Sequence, residues 1–408
     1  MVIAGIIAEF NPFHNGHRYL IDSVRQKTNA DAIIVVMSGN FTQRGEPALW
    51  NKWIRAECAV RNGVDLVLEL PACFAVNSGA SFATGGIAIL KGTGMVTHLA
   101  FGSESGNLND LVDTAKKLSK ESGAFSKCLH DALDTGVSYP VAYEIAASMH
   151  PDLETKTVKR LFGGSNDILG LEYIKQSIAQ NASFVFCPIK RVGVKHDGKV
   201  YDTYASASYI RNMIQTDAAT EAYKHYVPAE TSAVLREVKS LPIQAYDRYA
   251  TLLRYAILSK SNTDLEAIIS VSEGLENRIR QASITAISLE DLIGKIKTKR
   301  YTRTRISRTL VQLILGMEKE QFQRVLQEHA FYGRVLALNQ TGAQVLRLMK
   351  KGKSSIEIYA NDCQAREATG ALRQSLAWDH LATDLYSILS NTSVYEGSDA
   401  VQRPFICF

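Results

Sequence analysis

Long apolar runs are missing from this sequence: no stretch approaches the ~18–20 uninterrupted apolar residues of a membrane span. Cysteine is sparse. The six (Cys58, Cys73, Cys128, Cys187, Cys363, Cys407) are scattered, without a CxxC pair. That excludes the usual zinc spacings and a disulfide framework, and predicts reduced, buried thiols in a cytoplasmic protein. Met1-Val2-Ile3-Ala4-Gly5 runs into a strand pattern without a basic region or cleavage site, so no secretory signal is expected. Internal repeats and low-complexity tracts are lacking, and no Asp/Glu cluster marks a dedicated metal cage. A local absence is more informative. From Lys295 to Arg308 the sequence K-I-K-T-K-R-Y-T-R-T-R-I-S-R holds seven Lys/Arg and no acid, around a central Tyr301. The overall charge of +5 is mild, but such a run is an electrostatic footprint for phosphates and points to RNA.

What is present is ordinary globular composition, with 46% apolar and 21% charged residues over 408 positions, enough for two domains. Short apolar runs alternate with helical patterns at first. Val2–Phe10, Asp31–Met37, Asp65–Leu70 and Thr97–Phe101 read as strands. Arg18–Gln26, Trp50–Arg61 and Ser78–Leu90 read as helices between them. This is the pattern of an α/β fold, a doubly wound parallel sheet covered on both faces. Residues 107–180 read as a helical insertion before a last strand, Ser183–Phe186. The polar loop Lys190–Tyr204 then leads to a helix near Ser206. Beyond a boundary near Asp217–Pro228, long helical patterns such as Arg248–Lys260 and Leu265–Ala286 take over, with a little sheet near Ser354–Tyr359. The expected division is 1–217 and a mainly helical 218–408.

The strongest local signal is Phe10-Asn11-Pro12-Phe13-His14-Asn15-Gly16-His17, at the carboxyl end of the first strand. That edge of an open α/β sheet is where ligands bind. The next helix offers free N–H groups and its positive dipole end to a phosphate. Gly16 lets a nucleotide approach the backbone, and His14 and His17 can donate to phosphate oxygens as pyrophosphate leaves. A second element is Ala205-Ser206-Ala207-Ser208-Tyr209-Ile210-Arg211. Ser206 and Ser208 suit a helix N-terminus, and Arg211, three residues after Ser208, shares its face. Gln43 and Arg44 follow the second strand, where Arg44 could meet a small anionic substrate, a phosphate or a structural carboxylate. His196, beside Asp197, reads as a loop histidine.

Together the two elements resemble the nucleotidyltransferase superfamily signature, HxGH with a later (S/T)-x-(S/T)-x-I-R. Ser208 stands where Thr is usual and Ala207 where Ser is usual. The match narrows with Ser38-Gly39-Asn40-Phe41-Thr42-Gln43-Arg44-Gly45, Asp65–Pro71, Phe101-Gly102-Ser103-Glu104, Ser165-Asn166-Asp167, Lys190-Arg191-Val192-Gly193 and Lys299–Arg305. Over nearly the whole chain the sequence resembles the bacterial tRNA(Met) cytidine acetate ligases. That resemblance implies a nucleotidyltransferase-like Rossmann core. It implies adenylation of acetate with ATP and transfer of the acetyl group to the 4-amino group of the wobble cytidine, in the anticodon loop of elongator tRNA(Met). It carries an ATP-binding stretch onto Ile7-Ala8-Glu9, Phe10-Asn11-Pro12-Phe13, His14-Asn15-Gly16-His17 and Arg18-Tyr19-Leu20, completed by Gly102, Asn166 and Arg191. His14, His17, Ser206, Ser208 and Arg211 are the expected catalytic set. Lys299, Arg300, Arg303, Arg305 and Arg308 are expected to hold tRNA, with Tyr301 stacking on a base or packing against protein.

Acetate is already an anion, so attack on the α-phosphorus needs positive charge rather than a base. Mg²⁺ carried by the ATP phosphates, with His14, His17, Arg191 and Arg211, is expected to supply it. Two other readings fit parts of the sequence. A nucleotidyltransferase making a dinucleotide or pantetheine cofactor leaves the basic half idle. A non-catalytic RNA-binding protein predicts a damaged HxGH or a missing Arg211, and both are intact.

Overall fold

Uninterrupted apolar runs make the centre of the sheet. In this computed structural model, which describes residues 1–120, 123–192, 203–216 and 221–408, every residue of β2 (Ala32–Ser38) and β3 (Leu66–Leu70) is buried. Strands buried on both faces belong in a parallel sheet covered by helices. β1 (Ile3–Ala8) pairs in parallel with β2 and with β4 (His98–Ser103). β3 extends the sheet beyond β2, and β5 (Val185–Lys190) extends it beyond β4. The order β5-β4-β1-β2-β3 reverses its winding between β1 and β4. A crevice opens at the carboxyl ends of strands at such a switch point. The Gly79–Gly92 helix lies tight on this core: a Cβ on Gly86 would stand 2.5 Å from Ile7, and one on Gly5 2.9 Å from Leu90. Glycine is what lets helix and strand approach so closely.

The early elements match the sequence reading, although the last strand falls two residues later, at Val185–Lys190. The C-terminal region differs more. It is mainly helical, but it also supplies β6 (Tyr332–Asn339), β7 (Glu357–Tyr359) and β8 (Phe405–Cys407). β6 pairs antiparallel with β3, and β7 and β8 both pair in parallel with β6, so the sheet continues across the expected boundary. The run Val335-Leu336-Ala337-Leu338 is fully buried, and a short buried run has no periodicity to separate strand from helix. The helical pattern Leu265–Ala286 is also broken. It forms Asn262–Ala267 and Leu275–Thr285, separated by Glu273 and Gly274 at φ 58° and 79°.

One hydrophobic core runs from Ile3 in β1 to Leu389 in the long helix Gly370–Ser390. The helical insertion adds a satellite core around Leu118, Phe125 and Tyr143. Deep in the main body, Lys52 Nζ lies 2.8 Å from carboxylate oxygens of both Glu69 in β3 and Asp399. Arg334 of β6 pairs with Asp362 at 2.9 Å. No helix of the described residues is long and apolar enough to cross a membrane. The six cysteines are free. Cys58 and Cys73 are buried as expected, whereas Cys363 is exposed.

Candidate active site

His14 and His17 enter the site through the geometry of a helix start. His14 is the N-cap of the Asn15–Thr28 helix, and its Nδ1 accepts the Gly16 N–H at 3.1 Å. His17 Nδ1 accepts the His14 N–H at 3.2 Å. This is a capping box built from two imidazoles instead of Ser and Glu. The rings stack with centroids 3.7 Å apart, and His17 also packs at 4.9 Å on Phe10. A Cβ on Gly16 would stand 2.9 Å from His14 Cε1, so the glycine makes room for the folded-back ring.

With each Nδ1 used as an acceptor, the proton of each neutral ring sits on Nε2. Burial, with Arg191 next in weight, pushes His14 down to about 3. Burial, with His14 and Arg191 beside it, holds His17 well below the usual imidazole range. The expectation of two cations is therefore corrected: at neutral pH these are uncharged N–H donors. Positive charge has to come from the arginines.

Both rings face a cavity of about 650 Å³ lined by the ends of β1, β4 and β5 and by the start of the Ala207–Thr216 helix. Gly102, Asn166 and Arg191, far apart in sequence, meet on one wall. A Cβ on Gly102 would lie 3.8 Å from Arg191 Cγ and 3.9 Å from Asn166 Oδ1. Glu104 orients that wall. Its Oε1 accepts from Asn166 Nδ2 at 2.7 Å and its Oε2 from the Asp167 N–H at 2.8 Å. In the sequence Glu104 is only the polar end of a strand, and partners some sixty positions away leave no local signal of its role.

On the opposite side, Ser206 Oγ accepts the Tyr209 N–H at 3.2 Å, capping its helix. Arg211 donates to Asn11 O at 2.9 Å and to Ser208 Oγ at 3.3 Å, tying the second motif to the first. Not every residue of the Ile7–Leu20 stretch lines the cavity. Phe13 is packed beneath His17, Asn15 Nδ2 donates to Thr203 O at 2.9 Å, and Arg18 turns away to Asp22 at 3.0 Å. Pro12 is likewise outside the lining. His196 and Gly193 lie outside the described residues.

Gln43 and Arg44 line the same cavity. The Gln43 N–H donates to Glu9 Oε1 at 2.6 Å. Arg55, in the Lys52–Arg61 helix, is 1% exposed. It donates to the carbonyls of Trp50 at 2.9 Å, Glu9 at 2.5 Å and Ser38 at 3.1 Å, and to that of Gly39, so it fixes the ends of β1 and β2 together.

The basic run is less free than its composition implies. Lys295 pairs with Asp291 at 2.7 Å, Arg300 with Glu273 at 2.8 Å and Arg303 with Glu290 at 2.5 Å. Tyr301 packs against protein: it is 5% exposed, donates to Ser272 O at 3.2 Å and carries the Arg305 guanidinium 4.8 Å over its ring. Lys299 is exposed. Arg308 donates to Gln43 O at 3.3 Å, and burial pushes its guanidinium down to about 10. Gly45, at φ 76°, has no room for a Cβ, which would stand 2.2 Å from the Arg308 nitrogen. The Arg303–Ile314 helix thus abuts the loop after β2, and its Thr304 reaches the cavity itself. Among the described residues no group of three or more His, Cys, Asp or Glu is arranged to hold a metal ion.

A dinucleotide-fold switch point, a histidine-capped helix and a phosphate-sized donor set define a class. Residues 1–400 match the model of the HIGH Nucleotidyl Transferase family, and the chain belongs to that family. More particular relatives share its whole length. A tRNA(Met) cytidine acetate ligase of Clostridium novyi is 38% identical over 99% of both chains. One of Syntrophomonas wolfei is 37% identical over 95% of both. The crystal structure of Thermotoga maritima TmcAL bound with alpha-thio ATP superposes with a TM-score of 0.90 at 32% identity, covering 100% of this chain and 99% of that one.

Proposed function

We propose that this chain is an ATP-dependent tRNA cytidine acetate ligase. It activates acetate as acetyl-adenylate and transfers the acetyl group to the 4-amino group of the wobble cytidine in the anticodon loop of elongator tRNA(Met), in the cytoplasm. The observation that carries the reading is the pair of neutral, helix-capping histidines facing Arg211 across the crevice. In the first step an acetate oxygen attacks the α-phosphorus and the bond to pyrophosphate breaks. His14 and His17 donate their Nε2–H groups to phosphate oxygens, and Arg191 and Arg211 supply the positive charge that two meeting anions need. Ser206 and Ser208 hold the helix start, with Gly102 and Asn166 against the nucleoside. Mg²⁺ carried by the ATP phosphates would add positive charge beside Arg191 and Arg211. Gln43 and Arg44 form the acetate end of the site.

In the second step the cytidine amine, a poor nucleophile because its lone pair is delocalised, attacks the acetyl carbonyl and AMP leaves. ATP chemistry falls mainly to residues 1–217, and residues 218–408 hold the tRNA backbone through Lys299, Arg300, Arg303, Arg305 and Arg308. The test is pyrophosphate release from ATP with acetate, with and without bulk tRNA. Acetate dependence supports the ligase. Dependence on nicotinamide mononucleotide or phosphopantetheine instead would make it a cofactor enzyme.

A further inference from the structure

A second cavity, of about 380 Å³, adjoins the first. Neighbouring residues of the same three segments line the two cavities. Arg44, Arg211 and Thr304 line the nucleotide cavity. Gly45 and Glu46, Gln215 one helical turn beyond Arg211, and Arg303 and Ser307 line the second. Nothing in the adenylation step uses this space. Its chemistry is nevertheless specific. Tyr246 and Tyr249 give it aromatic surface. Tyr249 is 2% exposed, and its hydroxyl has no hydrogen-bond partner among the described residues. A buried hydroxyl left unpaired is costly, so it marks a place where a ligand completes the bonding. The Glu46 carboxylate is half-buried at the partition, within electrostatic reach of Arg211 and Arg303.

We infer that this second cavity receives the acceptor cytosine of the RNA, with Glu46 accepting from its 4-amino group at the partition facing the acetyl-adenylate. The inference rests on the ligase reading and assigns the residue that reading lacks, the proton acceptor. Cytosine presents a flat ring to the tyrosines and an amino donor to a carboxylate that can only accept. Uracil presents a carbonyl oxygen there, which Glu46 repels. In the transfer, the amine nitrogen forms a bond to the acetyl carbon and the bond from that carbon to the AMP phosphate oxygen breaks. The displaced N–H proton passes to Glu46 and from it to water, and AMP leaves as the anion. The basic helix that borders the cavity then holds the flanking phosphates.

The experiment compares wild type with Glu46→Gln and Tyr249→Phe in the full chain. It measures acetate-dependent ATP–pyrophosphate exchange, single-turnover acetyl transfer, and the Kd for tRNA bearing cytidine or uridine at the acceptor position. Glu46→Gln should keep exchange, slow transfer by about 10²-fold or more as expected for a lost base, and narrow the preference for cytidine by roughly tenfold. Tyr249→Phe, which removes one oxygen and keeps the ring, should weaken cytidine-bearing tRNA without touching exchange. Unchanged transfer and preference in Glu46→Gln would overturn the assignment. So would equal loss of exchange and transfer in a folded variant, which would place Glu46 in the adenylation site. Wild-type protein without acetate-dependent exchange would sink the ligase reading itself.

Discussion

The Asn15–Thr28 helix opens on two histidines that are stacked, capped and neutral. The Arg303–Ile314 helix opens on an arginine whose side chain is 46% exposed and already paired with a carboxylate. Both offer donors to phosphate, and the difference is in what binding must undo. The histidines have no counter-ion to lose and no rotamers to freeze, so they are suited to a transition state whose charge appears at one place. Exposed ion pairs such as Arg303–Glu290 are worth only about 0–1 kcal/mol. On the proposed function, a polyanion can therefore displace the acid cheaply, which keeps the paired arginines available to RNA.

That contrast can be broken most severely at the histidines. Changing either His14 or His17 to Ala should reduce acetyl-adenylate formation by ~10²–10³, the usual cost of one transition-state donor. Near wild-type ATP–pyrophosphate exchange in both variants would remove them from the mechanism. A smaller effect is expected at the acetate end. Arg44→Ala should raise the acetate needed for half-saturation by roughly ten- to a hundredfold, in line with a missing charge-assisted hydrogen bond. The ATP requirement should move far less, and an unchanged acetate titration at saturating ATP would clear Arg44. At the basic helix, Arg303→Glu with Arg305→Glu should weaken tRNA about tenfold and reduce the salt slope by about one for each phosphate no longer neutralised. Exchange without tRNA should survive. Its failure in a folded double variant would mean that this helix, already touching Gln43 through Arg308, serves the nucleotide site instead.

A separate effect, on stability, is confined to acid pH. The folded-state pKa of His14 lies below the unfolded value of 6.5, so its contribution is full above that value and is lost as pH falls toward about 3. Between those limits the unfolded chain binds the extra proton, with a slope near 1.4 kcal/mol per pH unit. The Tm of wild type should therefore fall more steeply below pH 6.5 than that of His14→Gln. Parallel curves would show that His14 titrates normally.

The parts of this arrangement legible in the sequence are those carried by local pattern. β1 to β4 announce themselves as apolar runs, and the HxGH motif sits where a strand ends and a helix begins. Gly102, Asn166 and Arg191 are singled out by resemblance to a family, and the structure brings them together. What stayed hidden depends on distance along the chain. Arg55 and Lys52 sit in a helical pattern as ordinary polar residues, yet each is wholly buried by carbonyls or carboxylates that no local window contains. Glu46 carries no motif at all, and its place at a partition depends on three segments meeting. The neutrality of the histidines was equally out of reach, because it depends on which ring nitrogen the backbone occupies.

β6 has a consequence for how the molecule comes into being. Its pairing with β3 joins residues some 270 positions apart in synthesis, and Asp399, a partner of Lys52, is made later still. Until then β3 presents an open edge, the kind of surface that recruits other chains. Lys52 meanwhile waits beside Glu69 without its second counter-charge. A fragment ending near residue 217 should for this reason be insoluble rather than a free-standing adenylating module. The nascent protein needs β6 and Asp399 before its first strands are safe.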